Sequence, residues 1–157
     1  MDYLTDRPYK ICSRSYKAPF GGYGSEKPRE AECTVYDPFD TVERFKGDIY
    51  LLIGPKSISA PIILGGILQD YDLAILVGEQ TSDTASFCAS AVRSVLPRTK
   101  LEYSISTECY VRPNGILDDQ PLIPDIPVET TLQDQLAGKD PVLDYTLEMI
   151  RSGGQMP

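Results

Sequence analysis

One serine of this chain stands where backbone amides could assist acyl transfer. Ser59 ends a short turn, 54–59, that follows the apolar run 48–53 and precedes an apolar stretch beginning at Ala60. At a helix start the first N–H groups lack partners, and the helix dipole favours negative charge. The Ala60 N–H would then lie nearest to an oxyanion formed at a serine nucleophile. Ser59 is therefore a candidate nucleophile, although a serine here can also serve only as the helix N-cap.

The 157 residues include no histidine. Its absence excludes Ser-His and Cys-His catalysis by this chain alone, and it removes the usual ligand of catalytic zinc sites. A base for Ser59 must therefore be a lysine or a carboxylate, or it must come from another polypeptide segment. We predict neither a metal nor a cofactor.

The elements around the candidate serine follow from the hydrophobic pattern. The run 48–53 is short and continuous, as in a strand that is buried on both faces of a parallel sheet. A helix is predicted over 60–71, with Pro61 in its first turn, and a second buried strand over 73–77. Strand, helix and strand in this order predict a right-handed parallel βαβ unit.

Two adjacent glycines interrupt the predicted helix. Gly65 and Gly66 would each cost about 1 kcal/mol relative to alanine in a helix interior. Close packing against a sheet would be a reason for the helix to tolerate them.

The C-terminal part has a different pattern. Two strands are predicted over 87–96 and 100–111, and the second alternates so that apolar and small residues share one face. The residues on that face are Leu101, Tyr103, Ile105, Thr107 and Cys109. A closing helix is predicted to begin with Asp140 as its cap. The fold class is therefore α/β, with a parallel βαβ unit followed by C-terminal strands and a helix.

The chain divides by composition into three parts. Residues 1–46 are rich in proline and glycine, and we predict an irregular segment there. Residues 47–151 form the ordered domain, and 152–157 form a tail. We find no signal peptide at Met1 and no apolar stretch of the roughly 20 residues that a membrane helix needs.

Composition narrows the classes of partner. Apolar residues make up 41% of the chain and charged residues 24%, which is typical of a globular domain. The formal charge of −8 disfavours binding to nucleic acid or to an anionic membrane surface, whereas a polypeptide partner is compatible with it. The four cysteines are widely spaced without a C-x-x-C pair, so we predict free buried or half-buried thiols.

Several short motifs follow one another in an order that is specific as a series. They are Gly54-Pro55-Lys56-Ser57-Ile58-Ser59-Ala60, Gln69-Asp70-Tyr71, Val77-Gly78-Glu79-Gln80-Thr81, Val111-Arg112-Pro113-Asn114-Gly115, Ile123-Pro124-Asp125-Ile126-Pro127-Val128 and Gly138-Lys139-Asp140-Pro141. This series over residues 40–151 closely resembles the tail-specific, or carboxyl-terminal processing, proteases of peptidase family S41. The resemblance implies a fold related to the ClpP/crotonase-like core.

The resemblance also implies roles for single residues. Ser59 matches the nucleophile, and Ala60 supplies one oxyanion N–H. Ser57 is the rival serine, two residues too early for the Ser-Ala helix start. Asp70 and Glu79 match family positions that we interpret as framework residues. Lys56 is expected to be a solvated charge rather than a base.

The base that the family uses is not evident in this sequence. The Ser-Lys branch places its lysine where Thr84 stands here, and threonine cannot take a proton from serine. The other branch, resembling the tricorn core protease, uses a Ser-His-Ser-Glu tetrad with its histidine far upstream. Asp118, next to Asp119, lies near the position of the acidic member, but both can also be solvated loop carboxylates.

The resemblance predicts a serine peptidase that cleaves polypeptides through an acyl-enzyme, present here as part of its catalytic domain and inactive alone. The upstream half of the domain, with the peptide-binding module and the second oxyanion donor, is expected to be missing. The alternative is a non-catalytic relative that binds peptides or hydrophobic ligands. An acyl-CoA enzyme is a weaker third reading, which rests on fold analogy alone. The compartment and a homo-oligomeric state stay open, with the cell envelope or the exterior suggested by the resemblance.

Overall fold

The computed structural model describes residues 1–18, 28–40, 43–117 and 119–153. These residues form a mixed α/β structure with parallel and antiparallel sheets. In chain order the elements are β1 (Tyr9–Lys10), β2 (Arg14–Lys17), β3 (Arg29–Glu32), β4 (Val35–Tyr36), β5 (Tyr50–Ile53), α1 (Ala60–Asp70), β6 (Ile75–Gly78), β7 (Phe87–Val95), β8 (Glu102–Val111), β9 (Ile126–Pro127), α2 (Leu132–Leu136) and α3 (Pro141–Arg151).

The parallel sheet has the strand order β5-β6-β9. β5 and β6 pair in parallel from Tyr50 opposite Ile75 to Ile53 opposite Gly78, and α1 connects them. The predicted parallel βαβ unit is therefore confirmed. β9 adds to the far edge of β6, also in parallel.

A small apolar core joins α1 to this sheet. Its buried members are Ile53, Ile62, Leu76, Ala85 and Leu122. A Cβ added at Gly65 would lie 2.6 Å from Leu122 Cδ1, so the predicted close packing is confirmed there. At Gly66 an added Cβ would meet nothing within 4 Å, so close packing does not explain the glycine at that position.

The prediction that β5 is buried on both faces is wrong for one of its residues. Leu52 is 38% exposed. Its side chain lines an open cleft together with Val142 of α3, which also lies against β5. The strand is thus covered on one side and faces a cleft on the other.

The antiparallel sheet has the order β3-β2-β8-β7 and changes the interpretation of the N-terminal segment. β2 pairs with β8 from Arg14 opposite Val111 to Lys17 opposite Glu108, and β3 pairs with the other edge of β2. The prediction of irregular structure throughout residues 1–46 is therefore wrong, because strands from this segment complete a sheet with the C-terminal part. The division of the chain at residue 46 stays a prediction.

The prediction of free thiols is wrong as well. Cys12 is bonded to Cys33, and Cys88 is bonded to Cys109. Cys88 and Cys109 lie directly opposite each other on β7 and β8. Cys12 and Cys33 flank the paired ends of β2 and β3, where the Cys33 N–H donates to the Ser13 carbonyl at 3.2 Å. Both pairs depend on strand contacts that the cysteine spacing alone does not reveal.

Of the two C-terminal helices, α3 was predicted from the sequence and α2 was not. α3 begins at Pro141, and the Asp140 side chain accepts a hydrogen bond from the Leu143 N–H at 3.0 Å, which confirms the predicted cap. The short helix α2 was not predicted. It begins after Thr131, which forms a capping box with Asp134.

Candidate active site

Ser59 occupies a strained bend between β5 and α1. It is the N-cap of α1, with φ 66° and ψ −119°, values that a residue with a side chain rarely adopts. The residue is exposed, and its side chain makes no capping hydrogen bond. The geometry therefore argues against a serine that serves only as a cap, since the hydroxyl binds none of the helix amides that a cap would bind.

The rival serine has a structural role within the same turn. The Ser57 hydroxyl accepts a hydrogen bond from the Gly54 N–H at 3.2 Å, and the Ser57 N–H donates to the Gly54 carbonyl at 2.9 Å. These two bonds close the turn that leads from β5 to Ser59. Ser57 thus shapes the approach to the helix start, which distinguishes it from the exposed Ser59.

One amide is available beside Ser59 at the start of α1. The Ser59 carbonyl accepts from the N–H groups of Ile62 and Ile63, at 2.9 and 3.2 Å, and Pro61 has no N–H. The Ala60 N–H makes no hydrogen bond to any described residue. A free amide next to an exposed serine hydroxyl can stabilise negative charge that develops on an adjacent oxygen.

Thr84 makes two hydrogen bonds to residues next to it in the chain. Its hydroxyl donates to the Ser86 carbonyl, and its N–H donates to Asp83 Oδ1 at 2.9 Å. Thr84 and Asp119 line a cleft of about 420 Å³ that Pro55, from the turn before Ser59, also lines. Thr84, which the resemblance aligns with the family lysine, thus lies near the β5–α1 turn, and the carboxylates of Glu79, Asp83 and Asp119 line the same cleft.

Two of the remaining predicted residues, Lys56 and Glu79, line a second cleft, and the third, Asp118, lies outside the described residues. A cleft of about 830 Å³ is lined by Lys56, Ser57 and Glu79, among others. Glu79 Oε1 accepts a hydrogen bond from the Thr130 N–H at 3.0 Å, a contact that fits a framework role. Asp118 lies outside the described residues, so its role stays a prediction.

Arg112 is a residue of the framework whose role the sequence did not reveal. Its Nε donates to Asp70 Oδ2 at 3.1 Å, and its Nη2 donates to Gln69 Oε1 at 2.9 Å. Asn114 adds two hydrogen bonds to the Asp70 carboxylate, from its N–H and its Nδ2, both at 3.0 Å. The V-R-P-N-G motif was visible in the sequence, but only the fold shows that it binds the end of α1.

The described residues provide neither a metal-binding cluster nor a membrane-spanning helix. Within ranges 1–18, 28–40, 43–117 and 119–153, no three His, Cys, Asp or Glu residues are arranged to hold a metal ion. In the same part of the chain, no helix has the length and apolar character to cross a membrane.

The chain belongs to peptidase family S41. The family model matches residues 10–128, which include Ser59, Ala60 and Thr84. A search of curated proteins found no match.

Solved structures agree with this assignment at the level of the fold. A protein from Parabacteroides merdae that is assigned as a peptidase has a TM-score of 0.69 and 17% identity, over 94% of this chain and 44% of that one. Mature CPAF complexed with lactacystin has a TM-score of 0.69 and 17% identity, over 95% and 40%. The photosystem II D1 C-terminal processing protease has a TM-score of 0.50 and 17% identity, over 82% and 29%. The chain therefore has the S41 protease fold, and it spans less than half the length of each of these structures.

Proposed function

We propose that Ser59 is the nucleophile of a serine peptidase that cleaves polypeptides, and that this chain forms the C-terminal part of its catalytic domain. The observation that carries the proposal is the backbone at Ser59, where positive φ, exposure and the lack of a capping bond coincide. Strain of this kind costs on the order of 1–3 kcal/mol and is concentrated at functional sites. A serine that sharpens a strand-to-helix turn is the arrangement of a nucleophile elbow.

The proposed chemistry is acyl transfer. Ser59 Oγ attacks the carbonyl carbon of a peptide bond and forms a tetrahedral intermediate, whose oxyanion accepts a hydrogen bond from the Ala60 N–H. The C–N bond then breaks, which leaves an ester on Ser59, and the amine leaves with the proton that the base took from the Ser59 hydroxyl. Water afterwards hydrolyses the ester and restores the Ser59 hydroxyl.

The proton of Ser59 needs a base, and no lysine or carboxylate among the described residues is hydrogen-bonded to its hydroxyl. The sequence holds no histidine, and the Thr84 hydroxyl already donates to the Ser86 carbonyl. We therefore propose that a polypeptide segment beyond these residues supplies the base, together with a second oxyanion donor. In this proposal the β5–α1–β6 unit is the counterpart of a ClpP/crotonase-like core, and Asp118 is the candidate for an acidic residue behind the base.

The second candidate is a non-catalytic relative that binds a peptide or a hydrophobic ligand. Thr84 favours it, because a threonine at the family lysine position cannot act as a base. Ser59 favours the peptidase, because a binding module gains nothing from a strained serine where glycine would fit without cost.

A fluorophosphonate probe separates the two candidates. We expect the natural protein, purified from cells that make it, to be labelled at Ser59, and Ser59→Ala to abolish the labelling. Ser57→Ala is the matched control, since it removes one hydrogen-bond acceptor at a cost of about 1 kcal/mol and should keep the label. Labelling that survives Ser59→Ala would refute the nucleophile, and a natural protein that is never labelled would favour the binding module.

A further inference from the structure

Among the residues that the structure describes, the outer half of the β7–β8 hairpin forms a two-stranded ribbon beyond the antiparallel sheet. Described residues of β2 pair with β8 only between Glu108 and Val111, whereas β7 and β8 remain paired as far as Val95 opposite Glu102. An isolated two-stranded ribbon is at most marginally stable in water, so a partner surface would stabilise it.

The two faces of this ribbon differ in polarity. Residues that pair directly share a face, and pairing continues with one register along the whole hairpin. One face carries Arg93, Ser104 and Ser106, with Val95 and Glu102 near the tip. The opposite face, which we name the ribbon face, carries Ser94 and five large side chains that are between 41% and 63% exposed: Val92, Leu96, Leu101, Tyr103 and Ile105.

The outer edge of the ribbon is open as well. No described strand pairs with the free edge of β7, although this strand is nine residues long. Native edge strands usually carry prolines, several charges or a bulge that prevents further pairing. β7 contains no proline, Arg93 is its single charged residue, and its irregularity is confined to Ser90, which has φ 57° and lies at the inner end of the ribbon. An apolar face beside such an edge is typical of a surface that contacts a partner.

We infer that the ribbon face docks against the polypeptide that completes the S41 peptidase domain and supplies the base for Ser59. Solved structures that match 94–95% of this chain contain it as only 40–44% of their own length, so most of such a domain lies outside these residues. The inference rests on the proposed function for the base, but the docking itself does not require that Ser59 be active.

Site-specific photo-crosslinking tests the docking. A photoreactive benzoylphenylalanine is placed at Ile105, on the ribbon face, and in a matched control at Ser104, on the opposite face, in the natural protein inside cells that make it. We expect Ile105 to give at least about fivefold more crosslinked product than Ser104. The crosslinked peptide should come from S41-domain sequence outside these 157 residues.

Each other outcome overturns the inference. Crosslinks from Ile105 that lie only within these 157 residues on another molecule would identify a second copy as the occupant. Crosslinks to lipid, or equal yields from Ile105 and Ser104, would show that no polypeptide covers the ribbon face. Fluorophosphonate labelling of Ser59 in the same sample tests the proposed function separately, because docking can occur around an inactive serine.

Discussion

Asp70 and Arg112 connect the C-terminal end of the helix that begins at Ser59 to the end of strand β8. The side chains are 4% and 12% exposed, and the guanidinium meets both carboxylate oxygens. Asn114 satisfies further lone pairs of the same carboxylate. The parallel unit that carries the candidate nucleophile is thereby fixed to the antiparallel sheet at a point remote from Ser59.

Removing the carboxylate should destabilise the fold. We expect Asp70→Ala to lower the free energy of unfolding by about 3 kcal/mol, because Arg112 would remain buried without its partner. Urea unfolding followed by circular dichroism measures the change. Glu32→Ala is the control, since Glu32 is 90% exposed where it meets Lys10, and its loss should cost less than about 1 kcal/mol. Equal shifts for both variants would contradict the role of the buried pair.

The two glycines of α1 should respond oppositely to alanine. At Gly65 the added Cβ would press on Leu122, which is fully buried, so overpacking should outweigh the gain in helix propensity. At Gly66 the space is open, and propensity alone should stabilise the protein by up to about 1 kcal/mol. We expect Gly66→Ala to exceed Gly65→Ala in melting temperature. The reverse order would show that the helix does not pack on Leu122 as described.

Local pattern predicted the elements next to Ser59, because they depend on short-range periodicity. The strand, helix and strand around Ser59 were anticipated within a few residues, and so was the Asp140 cap. The strands before residue 46 were not, since β2 is held by β8, almost a hundred residues later in the chain. The disulfides were missed for the same reason, because each depends on how strands pair.

The candidate site was predicted by residue type but not by geometry. Sequence identifies a serine before a helix, yet a positive φ is normally expected of glycine, so the strain at Ser59 has no signature in the sequence. The hydrogen bonds that the Ser57 and Thr84 hydroxyls make with backbone groups are likewise visible only in the fold. The predicted role of Asp118 as an acidic catalytic residue stays a prediction, because Asp118 lies outside the described residues.

The capping box of α2 should give a measurable pH effect. The Thr131 hydroxyl donates to the Asp134 carboxylate and thereby lowers the pKa of Asp134 below its ordinary 3.8. A lowered pKa adds stability above the unfolded value, and this contribution is lost as pH falls through the folded value. We expect Thr131→Ala to raise the pKa of Asp134 toward 3.8, as followed by carbon NMR of the carboxyl group.

Thr130→Ala is the control for this titration. The hydrogen bond of Thr130 is made by its backbone N–H, to Glu79, so removing the side chain should leave the pKa of Asp134 unchanged. If Thr131→Ala also left it unchanged, the hydroxyl would not be the cause of the shift.

Two substitutions of Ser59 should show how much the strained backbone at this residue lowers the stability of the fold, independently of the hydroxyl. Ser59→Gly removes the Cβ that disfavours φ 66°, whereas Ser59→Ala keeps it, and neither variant retains a hydroxyl. The strain relieved exceeds the entropy that glycine adds to the unfolded chain, so we expect Ser59→Gly to be the more stable by about 1 kcal/mol in urea unfolding. Ser57→Gly should instead destabilise, because Gly54 loses its acceptor and no positive φ is relieved. A Ser59→Gly variant that is less stable than Ser59→Ala would mean that the backbone at this serine is not strained, and the main support for a nucleophile at this turn would be lost.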